Sequence, residues 1–136
     1  MKEYLKVSLL PKDTNMHGTI FGGVIMSHLD LAGAICARDS FDNRFVTLLV
    51  HEIRFLHPVF VGDLLMFGGE VVDHGSTSVT VRLVVEVERI DTREVLCVTE
   101  ARIVYVAVDR ERRKTRLQPR SNGPGAARDT FSSEVT

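Results

Sequence analysis

The sequence predicts an α+β domain in which one long, curved antiparallel sheet encloses a single buried helix. Three observations favour this class. The stretch 22–40 is apolar or small at almost every position from Val24 to Ala37, so it lacks the polar face of a surface helix. Segments 76–90 and 94–108 alternate apolar and polar residues over much more than the roughly five or six residues of an ordinary strand. Short turns join these segments, and long, strongly twisted strands are what a sheet wrapped around one helix requires.

The elements follow one another as one strand, the helix and four further strands. The first strand is predicted over 3–10, ahead of Pro11, and a polar segment at 38–43 ends the helix. The later strands are predicted over 45–56, 64–72, 76–90 and 94–108. In the second strand, alternation predicts a common face for Leu49, His51, Ile53 and Phe55. In the last strand, Glu100 and Arg102 are expected on a face that can pair with Arg82 and Glu86.

The composition indicates one globular domain with a basic C-terminal segment. The chain has 136 residues, of which 44% are hydrophobic and 26% charged, which suits a single core. Its net charge of −1 divides into +4 over 110–136, from seven Lys or Arg against three Asp or Glu, and −5 over 1–109. The acidic body argues against nucleic-acid binding as the main function. We therefore expect a domain at 1–109 and a mostly disordered basic tail at 110–136.

The cysteines and the N-terminal residues indicate the cellular compartment of the protein. No signal peptide is visible, because the first apolar runs are short and broken by charges. Cys36 and Cys97 lack metal-ligand spacing and are expected to be reduced core residues. These features predict a cytoplasmic protein. The five histidines also form no tight ligand spacing with cysteines or carboxylates, so no metal site is expected.

Asp30 is the most unusual residue of the predicted helix. The positions that share its helical face are Met26, Ser27, Gly33 and Ala34, and none of them carries a positive charge. Burying a carboxylate without a partner costs about several kcal/mol, so chains rarely keep such a group without a use. Asp30 is therefore a candidate catalytic group.

A polar loop with several glycines precedes the helix. Gly18, Gly22 and Gly23 allow a backbone to approach another group closely, and the helix is predicted to begin at the glycine pair. Free N–H groups at a helix start lie at the positive end of the helix dipole and can hold an anion or a developing oxyanion. Together with Asp30, this arrangement predicts an acyl-transfer site. The alternative is that the glycine pair forms only a tight turn and that Asp30 is hydrogen-bonded to a distant side chain.

Six short motifs follow one another along the chain: NMHGTIFGG at 15–23, MSHLDLAGA at 26–34, FLHPV at 55–59, VGD at 61–63, GSTSV at 75–79 and TEARIVYVAV at 99–108. In this order, they resemble the hotdog-fold acyl-CoA thioesterases, in the acyl-CoA hydrolase branch. The resemblance covers about residues 5–109 and leaves the tail unexplained. It implies hydrolysis of an acyl-CoA thioester to a free acid and CoA, with no metal and no cofactor other than the CoA of the substrate.

The resemblance also implies roles for residues of the loop and the helix. In similar enzymes the helix carboxylate, here Asp30, is catalytic, as a general base on water or as a nucleophile through a mixed anhydride. Asn15 would orient water or the thioester. The backbone N–H groups of Gly22 and Gly23 would polarise the thioester carbonyl. The acyl chain would lie beside the helix, near residues such as Val24, Ile25, Leu29 and Phe55.

The remaining substrate-binding residues implied by the resemblance are His17, Phe21, His57, Gly75, Thr77 and Ser78. The last three match a turn that contacts CoA in relatives, although they equally suit the turn at the start of a strand. His57 stands where similar sequences often carry Arg or Lys, and a mostly neutral histidine holds phosphate weakly near pH 7.

The resemblance implies a dimer with a continuous sheet, often assembled into a hexamer, with active sites at the dimer interface. On that pattern, Asn15 and Asp30 of one site come from different protomers; no nucleic acid or membrane partner is implied.

Two rival functions remain. A hotdog dehydratase or hydratase would need a histidine with a carboxylate, yet His28 and Asp30 do not face each other on a helix. A non-catalytic acyl-CoA sensor would gain nothing from a buried negative charge.

Overall fold

The computed structural model describes residues 1–121, which form a five-stranded antiparallel sheet and one long helix. The strands are β1 (Lys2–Ser8), β2 (Arg44–Phe55), β3 (Leu64–His74), β4 (Ser78–Glu88) and β5 (Val95–Val108), and the helix is α1 (Gly22–Ser40). A short 3-10 turn covers Pro11–Asp13. The predicted α+β class is confirmed, and the strands end within two residues of their predicted limits.

The sheet has the strand order β1-β3-β4-β5-β2, and every neighbouring pair is antiparallel. Helix α1 lies across one face of the sheet and contacts all five strands. The core lies between them, where fully buried side chains of the helix and the sheet meet: Leu29, Leu65, Phe67, Val79, Val81, Leu83, Val85 and Ile103. Because β2 is an edge strand, it leaves one row of backbone groups without a strand partner within residues 1–121.

Helix α1 is buried only on the side that faces the sheet. Ile25, Leu29 and Cys36 are inside the core, whereas Leu31 is 53% exposed and Met26 is 42% exposed. The expectation of a helix buried on all sides is therefore wrong for the single chain. The sequence pattern indicated apolar residues around the whole helix, but one sheet can cover only one side of it.

Two β-bulges change the face pattern of β2. The pairing of β2 with β5 shifts between Thr47 and Leu49 and again between Val50 and Glu52. As a result, Leu49 pairs with Val104 and Ile53 pairs with Ala101. Those two partners lie three residues apart on β5 and so face opposite sides of the sheet. The predicted common face of Leu49 and Ile53 is wrong, because each bulge moves the alternation by one residue.

The charged side chains on the outer face of the sheet also pair differently from the prediction. Arg82 lies 3.5 Å from Glu70, and Glu100 lies 3.9 Å from Arg54. Glu86 is only 1% exposed, and its Oε2 atom has no hydrogen-bond partner within residues 1–121. Burial and, to a smaller extent, the nearby Glu3 carboxylate raise the pKa of Glu86 to about 7.

The segment after β5 folds back onto the domain. Thr115 N–H donates to the Ala107 carbonyl at 3.0 Å, and Leu117 N–H donates to the Ser76 carbonyl at 2.9 Å. Arg120 forms an ion pair of 2.9 Å with Asp39. The prediction of a disordered tail is therefore wrong for 110–121, because the composition could not reveal these partners. Residues 122–136 lie outside the described residues.

No helix within 1–121 is long and apolar enough to cross a membrane.

Candidate active site

The start of α1 presents free backbone donors beside a cleft. The carbonyl of Phe21 accepts the N–H groups of Val24 and Ile25. The N–H groups of Gly22 and Gly23 find no acceptor within residues 1–121. The glycine pair therefore opens a helix, as predicted, and leaves donors that could bind a carbonyl oxygen or an anion.

The cleft at this helix start has a volume of about 280 Å³. Ile25, Phe55 and His57 line it together with Gly22, and Phe21 is 56% exposed beside the helix start. The ring of Phe55 lies so close to Gly22 that a Cβ at that position would be 3.4 Å from the ring. Of the expected acyl-contacting residues, Leu29 is fully buried in the core and does not line this cleft.

Asp30 lies about two turns into α1 and is half-buried. Its Oδ1 atom accepts a hydrogen bond of 2.6 Å from the hydroxyl of Thr47 on β2. Its Oδ2 atom accepts no hydrogen bond from residues 1–121. The expectation of a fully buried carboxylate without a partner is therefore wrong. Asp30 is hydrogen-bonded to a side chain distant in the sequence, as the alternative interpretation of the sequence proposed. Only its Oδ2 atom has no hydrogen-bond partner within residues 1–121.

A second side chain holds the backbone of Asp30. The hydroxyl of Tyr105, on β5, donates a hydrogen bond of 2.7 Å to the carbonyl oxygen of Asp30. Gly33 permits this contact, since a Cβ at Gly33 would lie 2.1 Å from the Tyr105 hydroxyl oxygen. Sequence reasoning missed both Thr47 and Tyr105. The only available signal was a polar residue at an inward position of each of two strands, together with a glycine one turn after Asp30.

Asn15 closes its own loop. Its Oδ1 atom accepts the N–H groups of His17 at 2.8 Å and Thr19 at 3.2 Å, and its Nδ2 atom donates to the Thr19 hydroxyl at 2.9 Å. His17 is exposed. No hydrogen bond joins Asn15 to Asp30 within residues 1–121, so a single chain does not bring the two predicted catalytic residues together.

The turn between β3 and β4 lies at the opposite end of α1. Gly75 N–H donates to the Ser78 carbonyl at 2.9 Å, and the carbonyl of Thr77 accepts the N–H of Ala107 at 2.8 Å. His74 makes an edge contact with Phe41, the residue that follows α1. Because α1 has 19 residues, this turn lies about 28 Å from the helix start. One chain therefore does not place Gly75, Thr77 and Ser78 beside Gly22 and Gly23.

Histidines offer no second catalytic centre in the part of the chain that the structure describes. The Nδ1 atom of His28 lies 2.8 Å from the Val24 carbonyl, and its ring stacks on Phe67. His28 is therefore engaged away from Asp30. No group of three or more His, Cys, Asp or Glu within residues 1–121 could hold a metal ion.

The free donors and the free carboxylate oxygen belong to two separate places in one chain. Asp30 lies seven positions after Gly23, so their backbones are about 10 Å apart along the helix axis. A carbonyl bound to the Gly23 N–H is therefore not in direct contact with the Asp30 carboxylate of the same chain. The apolar side chains beside Asp30 and Thr47 are exposed, including Leu31 at 53%, Leu48 at 57% and Leu49 at 47%. A partner surface here would cover them and complete a site.

Comparison with known proteins identifies relatives that cover most of this chain. The family profile of the thioesterase superfamily matches residues 17–95. The acyl-CoA thioester hydrolase YciA of Escherichia coli is 40% identical over 110 residues, which covers 79% of this chain and 83% of the relative.

Two solved structures show the same fold. The hexameric hotdog-fold thioesterase of Campylobacter jejuni matches with a TM-score of 0.82 and 39% identity, covering 87% of this chain and 91% of that one. The acyl-CoA hydrolase of Staphylococcus aureus, solved with butyryl coenzyme A and coenzyme A, matches with a TM-score of 0.77 and 26% identity, covering 85% and 70% of the two chains.

Proposed function

This chain belongs to the thioesterase superfamily, and on that premise we propose that it hydrolyses acyl-CoA thioesters to a free acid and CoA. The observation that carries this proposal is the environment of Asp30. One of its carboxylate oxygens is held by the Thr47 hydroxyl, its backbone is held by Tyr105, and the other oxygen accepts no hydrogen bond from residues 1–121. The fold of the thioesterase relatives, which this chain shares, supports it.

Asp30 can act in either of two ways. As a general base, it takes a proton from water while the water oxygen attacks the thioester carbon, and the carbon–sulfur bond breaks to release CoA. As a nucleophile, its free oxygen attacks the same carbon and expels the CoA thiolate, and water then hydrolyses the mixed anhydride. In both cases no metal or further cofactor takes part in the proposed reaction.

The proposed site is built by two protomers. The free N–H groups of Gly22 and Gly23 would bind the oxyanion, and Asn15 of the same loop would orient water or the thioester. Because the backbone of Asp30 lies about 10 Å further along the helix, we assign the reacting carboxylate to the partner protomer. Pairing of the edge strand β2 with its copy would satisfy that edge and cover the exposed Leu48 and Leu49.

Such pairing also explains the distant β3–β4 turn. A two-fold axis makes the two β2 strands antiparallel, so the Arg44 end of one strand lies beside the Phe55 end of the other. The turn at Gly75, Thr77 and Ser78 then approaches the helix start of the partner, near His17, Phe21 and His57. We assign CoA binding to these residues. We also propose that the dimers form a hexamer, as the relative from Campylobacter jejuni does.

The direct test is CoA release from short-, medium- and long-chain acyl-CoAs by the wild type and by Asp30→Asn. This substitution keeps the shape of the side chain and removes its charge and basicity. We expect the wild type to hydrolyse part of the panel and Asp30→Asn to lose about 10²- to 10⁴-fold in kcat.

The matched control is Asp39→Asn on the same helix. Asp39 is engaged by Lys2 and Arg120 at the far end of α1, so its replacement should affect stability and leave kcat near that of the wild type. If the wild type binds acyl-CoA but releases no CoA from any substrate, the proposed hydrolase function is contradicted. The alternative of a non-catalytic acyl-CoA sensor would then be favoured. Full activity of Asp30→Asn would contradict the role of this carboxylate.

A further inference from the structure

We propose that Tyr105 is a positioning residue for the hydrolysis, because its hydroxyl fixes the turn of α1 that carries Asp30. This inference rests on the proposed function. The Tyr105 hydroxyl donates to the Asp30 carbonyl at 2.7 Å. Tyr105 itself is 1% exposed and lies on β5, where the neighbouring strands β4 and β2 flank it. The bond therefore ties the helix at Asp30 to a rigid part of the core.

Gly33 sets how closely the helix and Tyr105 approach each other. A Cβ on Gly33 would lie 2.1 Å from the Tyr105 hydroxyl oxygen and 2.8 Å from its Cζ atom. Atoms at such separations overlap, so only glycine leaves room for the tyrosine at this depth. The hydroxyl is thereby held against the helix turn that begins at Asp30.

Thr47 and Tyr105 hold Asp30 together from adjacent strands. The two residues are direct register partners in the pairing of β2 with β5. The Thr47 hydroxyl bonds the carboxylate, and the Tyr105 hydroxyl bonds the backbone of the same residue. A residue that is held at both its backbone and its carboxylate has a fixed position and a fixed orientation, which a reacting carboxylate requires.

Tyr105 remains a hydrogen-bond donor throughout the ordinary pH range. Burial raises the pKa of its hydroxyl, and the neighbouring Asp30 carboxylate raises it further. The hydroxyl therefore stays protonated wherever hydrolysis would be assayed. Its hydrogen bond to Asp30 does not depend on the assay pH.

Tyr4 offers a matched control for a purely structural role. Its hydroxyl donates to the Asp39 carboxylate at 3.1 Å, so it also joins the sheet to α1, nine residues further along the helix. A buried hydroxyl needs an acceptor for stability alone. If Tyr105 were no more than such a contact, both Tyr105→Phe and Tyr4→Phe would lower the melting temperature, and both would keep the kcat of the wild type.

The experiment compares kcat, KM and the melting temperature of the wild type, Tyr105→Phe and Tyr4→Phe with one acyl-CoA that the wild type hydrolyses. We expect Tyr105→Phe to lower kcat about 10-fold with KM within about twofold of the wild type, because small displacements of a reacting group cost this much. Tyr4→Phe should keep the kcat of the wild type. In a double-mutant cycle, Thr47→Val and Tyr105→Phe together should lower kcat by less than the product of their separate effects, since both act through Asp30.

A kcat of Tyr105→Phe within twofold of the wild type would overturn the inference. An equal loss of kcat in Tyr4→Phe, or strictly multiplicative effects in the cycle, would also overturn it. In each of these cases Asp30→Asn would still be inactive and the proposed function would stand. A wild type without activity on any acyl-CoA would instead refute the proposed function, and with it the positioning role.

Discussion

The hydroxyl of Thr47 is the one side-chain donor to the Asp30 carboxylate within residues 1–121, at a distance of 2.6 Å. Thr47→Val keeps the shape of the side chain and removes this donor. We expect kcat to fall about 10-fold, because a charge-assisted hydrogen bond contributes about 1.5–3 kcal/mol and here it orients the reacting group. Steady-state kinetics with one acyl-CoA measure this change.

Thr47→Ser is the matched variant, since it keeps the hydroxyl and loses only a methyl group. It should retain most of the activity of the wild type. Equal losses in the valine and serine variants would show that packing, and not the hydrogen bond to Asp30, accounts for the effect.

Gly33 is required by the packing of α1 on Tyr105. Gly33→Ala would place a Cβ 2.1 Å from the tyrosine hydroxyl oxygen, so the helix or the ring must move. We expect the free energy of unfolding to fall by about 2 kcal/mol, because overpacking of a core costs about 1–3 kcal/mol and exceeds the helix propensity that alanine gains. Denaturant unfolding measures the loss.

Gly75→Ala provides the control for this substitution. A Cβ at Gly75 would lie 3.4 Å from the Ser78 hydroxyl oxygen, which is ordinary contact, so the stability should change by less than about 0.5 kcal/mol. A Gly33→Ala protein as stable as Gly75→Ala would contradict the tight contact between α1 and Tyr105.

Residue type alone was enough to identify Asp30 and the glycine pair as candidates, because a carboxylate among apolar residues and a glycine-rich helix start are both visible locally. Their partners were not visible. Thr47 lies 17 residues from Asp30 and Tyr105 lies 75 residues from it. Such contacts depend on how the strands are ordered in the sheet, and no local spacing encodes that order.

At the scale of the strands, Glu86 is unusual because β4 buries its ionisable carboxyl group. Alternation placed it correctly on the face away from the helix, but there it is 1% exposed between its register partners Met66 and Cys97. Its folded-state pKa of about 7 lies above its ordinary value of 4.5. The folded protein thus binds this proton more tightly than the unfolded chain does.

Glu86 should therefore reduce stability as pH rises. Its contribution is most favourable below about pH 4.5 and is lost as pH increases through 7, with a slope of at most about 1.4 kcal/mol per pH unit. We expect Glu86→Gln to gain stability relative to the wild type between pH 5 and about pH 8. Urea unfolding across this range tests the prediction.

The exposed Glu70 on the neighbouring strand is the control. Its carboxylate is paired with Arg82 at the surface, so Glu70→Gln should not gain stability with rising pH. A constant difference between the wild type and Glu86→Gln over the whole range would contradict a buried, proton-binding Glu86.

The limits of the strands followed from alternation and turn residues, because both signals lie within a few neighbouring residues. The faces of β2 did not, since its two bulges insert extra residues that the alternation cannot show. The packed segment after β5 was missed for a related reason. Its charge pattern is typical of a solvated tail, whereas Arg120 is held by the particular carboxylate of Asp39.

At the scale of the whole molecule, the single chain exposes apolar surface where its fold is open. Val46, Leu48 and Leu49 of the edge strand β2 are each more than 40% exposed, and Leu31 of α1 lies uncovered on the adjoining helix. This surface surrounds Asp30 and Thr47. In the proposed two-protomer site, assembly through β2 would cover this surface and complete the site in the same step.

Leu48→Glu tests this coupling between assembly and activity. Leu48 is 57% exposed and lies in the first bulge of β2. A carboxylate at this position would be hydrated in the free chain but would face its own copy across the proposed two-fold interface. We expect light scattering to show a smaller assembly and kcat to fall at least about 10-fold. Ile90→Glu, at a 63% exposed position in the turn between β4 and β5, should leave both unchanged. A monomeric Leu48→Glu protein with full activity would show that one chain holds a complete site, and would contradict the division of the donors and the carboxylate between two protomers.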